Sequence, residues 1–142
     1  MSSSAKVMVK TENDNYKEMD VKVLAKKYFA QQNYEQAKKC YEFILGTDPE
    51  DVQALCNLAK VLFYLQDYSS ALRNAAKAIN LEPDYDQAYH IAAKVAEKQD
   101  NMFRCEEYLK LGLERCYGAP ILREYYDKGK EFMWVFVSEL VS

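Results

Sequence analysis

Residues 55–83 read LCNLAKVLFYLQDYSSALRNAAKAINLEP, and their spacing decides the fold. Leu55, Leu58 and Leu62 recur at three- and four-residue steps, the period of one helix face. Ala59 sits among them, and Ala71, Ala75 and Ala78 form a second periodic run of small residues after Tyr68. Small side chains on facing surfaces let two antiparallel helices pack at short range. Pro83 ends the second run, because the residue before proline avoids the right-handed helical region. Its fixed φ then suits the opening of the next helix. The stretch is a helix-turn-helix pair.

Working outward, the pair repeats. Tyr34 and Tyr68, Ala37 and Ala71, Leu24 and Leu58, Ala25 and Ala59, and Pro49 and Pro83 are five pairs with one constant separation. A third copy keeps the register with Tyr89, Ala92, Ala93, Ala96, Met102, Cys105, Leu109 and Gly112, without a proline until Pro120. A period of this length is the signature of a helix-turn-helix solenoid. The expected repeats are 18–51, 52–85 and 86–117, with helices near 18–31, 35–46, 52–65, 69–81, 86–99 and 102–116. Residues 1–17 are polar and are expected to form a tail that does not fold alone. Residues 118–142 are expected to form a helix capping the last repeat, with Ile121, Leu122, Tyr125 and Tyr126 on its apolar side. Phe132, Met133, Trp134 and Phe136 exceed what a cap requires: either the segment reaches back onto other repeats, or it forms a surface for a partner or a homodimer.

This pattern resembles the tetratricopeptide repeat family across about residues 18–117. The resemblance implies an all-α fold: a right-handed α-α superhelix of three repeats plus a C-terminal capping helix. It also implies a concave, peptide-binding groove lined by the first helix of each repeat.

Composition narrows the function. With 4 Gly among 142 residues, no two of Gly46, Gly112, Gly118 and Gly129 fit a phosphate-cradling loop. One histidine, His90, and no Cys-x-x-Cys pair leave no standard zinc spacing and no acid–histidine–nucleophile set. The expectation is a protein without enzymatic activity, metal or cofactor. A net charge of −3 and a pI near 5.3 speak against nucleic acid as the partner. No segment has the length and apolarity of a signal peptide or membrane span. Cys40, Cys56, Cys105 and Cys116 read as reduced thiols, in a cytoplasmic or nuclear setting.

The groove positions carry the functional signal. Counted from Glu18, Val52 and Asp86, they include Lys22, Lys26 and Phe29, then Cys56, Lys60, Phe63 and Tyr64, then His90, Lys94 and Lys98. Lys26, Lys60 and Lys94 form one column, each a full repeat after the last. A row of ammonium groups beside the aromatic anchors Phe29, Phe63 and Tyr64 suits an acidic or amphipathic peptide. Co-chaperone members of the family hold a chaperone's C-terminal Asp with a two-carboxylate clamp. Lys22 and Asn57 match that clamp, whereas Lys26, Gln87 and Ile91 replace an asparagine, a lysine and an arginine. The clamp is therefore incomplete, and the expected function is an interaction adaptor for a different acidic segment. The alternative is a structural subunit that assembles through its apolar C-terminal helix.

Overall fold

The computed structural model describes the backbone of residues 5–141 and the side chains of residues 5–130. Phe132, Met133, Trp134 and Phe136 lie outside the described side chains. The elements run β1 (Lys6–Lys10), β2 (Tyr16–Asp20), α1 (Val21–Ala30), α2 (Tyr34–Thr47), α3 (Val52–Tyr64), α4 (Tyr68–Leu81), α5 (Asp86–Lys98), α6 (Met102–Arg115) and α7 (Pro120–Val141). They fall into two compact units, Met1–Asn74 and Ala75–Ser142, and α4 runs from the first into the second.

The first element is a correction. Residues expected to form an unfolded polar tail make an antiparallel hairpin, and α1 begins at Val21 rather than near residue 18. The cause is a short alternation hidden in polar composition. Val7 and Val9 are half-buried between exposed Lys6, Met8 and Lys10. The register sets Lys6 opposite Asp20, so unlike charges face each other across the strands. Thr11 closes the loop, its N–H and hydroxyl both donating to the Asn15 carbonyl at 2.7 and 2.9 Å. Asp20 then ends β2 and starts α1, its carboxylate accepting the Lys22 N–H at 2.8 Å.

The helices follow from the repeat, and their turns repeat as strictly as their apolar residues. Gln32, Gln66 and Asp100, one repeat apart in turn, adopt φ of 59°, 65° and 58°. The next residues, Asn33, Asp67 and Asn101, cap α2, α4 and α6 by accepting the N–H of Gln36, Ser70 and Arg104. Their own N–H groups return to the carbonyls of Tyr28, Leu62 and Ala96 at 2.8, 2.9 and 2.9 Å. A left-handed residue followed by such a backbone return closes a helix and satisfies its last carbonyls. The third repeat, weakest in sequence, therefore has the same turn as the other two.

Small residues lie where close approach was expected. Ala25, Ala37, Ala59, Ala71 and Ala93 are fully buried, and Cys105 nearly so. In the second unit, Tyr89 is fully buried and donates its hydroxyl to the Pro83 carbonyl at 2.6 Å. The same oxygen accepts from Arg115 at 3.2 Å.

Candidate functional site

The first unit gathers Lys26 and Phe29 of α1, Tyr41 of α2, and Asn57 and Lys60 of α3 around a pocket of about 190 Å³. Helical spacing explains the convergence. Lys26 and Phe29 lie three residues apart on one helix, as do Asn57 and Lys60 on the other. Buried Leu24, Ala25, Leu58 and Ala59 hold the opposite faces in the core. Tyr41 is 4% exposed and forms part of the lining. Burial, with nearby Cys40 adding to it, pushes its phenol above the ordinary range, so it stays protonated. Among the described residues, neither Lys26 nor Lys60 has a carboxylate within ion-pair distance. The Lys60 ammonium instead lies over the Phe29 ring, 6.0 Å from its centre.

An aromatic wall stands beside the pocket. Phe29 meets Tyr34 and Tyr64 edge-on at 5.6 and 5.7 Å, and Tyr34 stacks on Tyr64 at 5.0 Å with planes 7° apart. Tyr64 remains 44% exposed and offers surface to a ligand. Phe63 packs against Tyr64 and Tyr68 and is only 9% exposed.

Several expected groove residues lie elsewhere. Cys56 is fully buried and Phe63 nearly so; both belong to the core, which corrects their expected place on the groove wall. Both lie close to Lys60 around the helix, at four and three residues, but the short Cys56 side chain stays in the core and Phe63 packs on Tyr64 and Tyr68, whereas Lys60 reaches outward. Lys22 is in an ion pair with Asp51 at 3.1 Å. In the second unit α5 carries His90 and Lys94, both half-buried, and Lys98, which is exposed. His90 meets Tyr125 edge-on at 5.5 Å. Ile91, at a clamp position, is 1% exposed and cannot take a carboxylate.

Sequence reasoning missed Tyr34 and Tyr41 as site residues, because it drew the groove from first helices alone. Their seven-residue separation on α2 places them on one face, which was a usable signal. Lys128 continues the lysine column by one more repeat, onto α7, where it pairs with Glu124 at 3.0 Å.

No model of a known protein family matches the chain, nor does any curated protein. Solved structures do. The first TPR domain of Spaghetti (RPAP3), bound to the HSP90 peptide SRMEEVD, aligns with TM-score 0.72 and 21% identity over 80% of this chain and 92% of that one. The TPR2B domain of yeast Sti1, in a complex with pHsp70, gives 0.69 and 22% over 78% and 94%. The Yersinia enterocolitica type III secretion translocator chaperone SycD gives 0.72 and 16% over 86% and 84%. The chain is thus a helical-repeat protein. Its fold is that of the tetratricopeptide repeat domains. No helix among the described residues is long and apolar enough to cross a membrane.

Proposed function

We propose that this protein is a non-enzymatic interaction adaptor that binds an acidic, partly apolar peptide segment at the Lys26–Asn57–Lys60 pocket. One observation carries the reading: two lysines without carboxylate partners and a carboxamide converge on one small pocket beside an aromatic wall. Ammonium and amide donors suit a carboxylate, and each exposed contact contributes about 0.2–1 kcal/mol. Phe29 and Tyr64 supply the apolar contact that such weak pairs require. The RPAP3 and Sti1 domains, solved with HSP90 and Hsp70 partners, give the acidic-peptide reading support. The changes at Lys26, Gln87 and Ile91, and the pairing of Lys22, favour a ligand other than a chaperone tail. His90, Lys94 and Lys98 join the reading through repeat position alone. The proposed repeats are 18–51, 52–85 and 86–117, the end of β2 occupying the start of the first, in a protein of the cytoplasm or nucleus.

The test is fluorescence anisotropy with a labelled acidic peptide that contains one phenylalanine and ends in a free carboxylate. Lys26→Glu with Lys60→Glu should weaken binding at least about tenfold, with the helical circular dichroism unchanged. Equal affinity of parent and double variant would sink the pocket assignment.

A further inference from the structure

A larger hollow, about 720 Å³, opens between α6 and α7 of the second unit. α7 begins tightly packed on α6, since a Cβ on Gly112 would meet Leu122 Cδ1 at 2.7 Å. At the other end of α6, Cys105 is buried while Met102 and Phe103 are 36% and 80% exposed.

The hollow has an apolar lining and a charged rim. Phe103, Leu109, Tyr125 and Tyr126 contribute to the lining, and Glu97 and Asp100 to the rim. On the α7 side the cations are already engaged. Lys128 pairs with Glu124 at 3.0 Å, and Lys130 lies over the Tyr126 ring at 5.4 Å. Glu97 and Asp100 form no ion pair among the described residues.

We propose that this hollow docks a short amphipathic segment of a partner protein, its large apolar side chains on Met102 and Phe103 and a lysine or arginine against Glu97 and Asp100. The occupant is thus opposite in charge to the ligand of the first unit's pocket, and the two sites select different partners.

The probe is a fluorescein-labelled peptide of about 15 leucines, lysines and alanines, with leucines spaced as one helix face. A second peptide of the same composition has its leucines scrambled. The patterned peptide should bind at least about tenfold more tightly than the scrambled one. Phe103→Ser, and separately Glu97→Lys with Asp100→Lys, should each remove about tenfold of that affinity. Glu35→Lys with Glu42→Lys, an equal charge change on α2, should leave it unaltered. Equal binding of both peptides, or unchanged binding by the α5–α6 variants, overturns the proposal. So does a parent dimer in light scattering that Phe103→Ser dissociates, because a second copy would then fill the hollow.

Discussion

The Lys22 ammonium stands 3.1 Å from one oxygen of Asp51, while the other oxygen of that carboxylate accepts the Ala54 N–H at 3.0 Å. One side chain thus caps α3 and ties α1 to it. The pair takes Lys22 out of the set of cations open to a ligand, although its repeat position had placed it there.

Asp51→Ala is expected to cost about 1–2 kcal/mol, combining a lost cap with a partly exposed ion pair. Asp51→Asn keeps the cap oxygen and should cost less than about 1 kcal/mol, as should Lys22→Ala. Urea unfolding measures all three. Lys22→Ala should also change acidic-peptide affinity less than Lys60→Ala does, since only Lys60 lines the pocket. A larger effect from Lys22→Ala would show that the ligand displaces Asp51.

The left-handed turn residues give a prediction of opposite sign. Gln32 and Gln66 hold φ of 59° and 65°, a region that disfavours any residue with a Cβ and that glycine adopts freely. Gln66→Gly should stabilise the protein by about 0.5–1 kcal/mol, and Gln32→Gly by a similar amount. Gln31→Gly, at the neighbouring residue with φ of −82°, should destabilise it. If both kinds of substitution lower the urea midpoint alike, the turns do not store this strain.

These turns also show what the sequence made legible. Six helices were placed to within about three residues, because apolar periodicity and Pro49 and Pro83 mark faces and ends directly. The recurrence of Asn33, Asp67 and Asn101, one repeat apart in turn, was equally visible, and it would have secured the third repeat without a proline. The hairpin was masked because Val7 and Val9 give only one short alternation inside a polar stretch. The candidate pocket was half legible. Repeat position found Lys26, Phe29 and Lys60 and the clamp comparison found Asn57, yet neither could tell that Cys56 is buried in the core. The Lys22–Asp51 pair depends on the meeting of two helices, which no local pattern encodes.

At Gly112 the backbone of α6 comes so close to α5 and α7 that a Cβ would meet Leu122 Cδ1 at 2.7 Å and Tyr89 Cβ at 2.9 Å. Ordinary helix propensity favours alanine over glycine by up to about 1 kcal/mol. Here overpacking outweighs it, because Tyr89 is fully buried and its hydroxyl is fixed by Pro83 and Arg115. Gly112→Ala should therefore lower stability by about 1–3 kcal/mol. Gly46→Ala, with nothing within 4 Å of the new methyl, should raise it slightly. Thermal melts of the two variants should move in opposite directions.

Cys105 links the hollow to pH. The thiol is 3% exposed, and burial, followed by the charges of Glu97 and Glu106, pushes its pKa up to about 11 from 9.0. The folded state therefore holds the proton more tightly than the unfolded state. This contribution is whole below pH 9 and is lost as pH rises from about 9 towards 11, because only the unfolded chain ionises in that window. The loss approaches roughly 2 kcal/mol at the upper end. Cys105→Ala places at this position the residue found at Ala37 and Ala71, and it removes the titration. The stability difference between parent and variant should be flat below pH 8.5, a margin of about half a unit below the unfolded value. It should then move steadily in the variant's favour as pH rises. The same variant in a Glu97→Gln background should show a smaller drift, because the carboxylate that raises the thiol is gone. A difference that stays constant up to pH 11 would mean that Cys105 ionises as readily in the folded protein as in the unfolded chain.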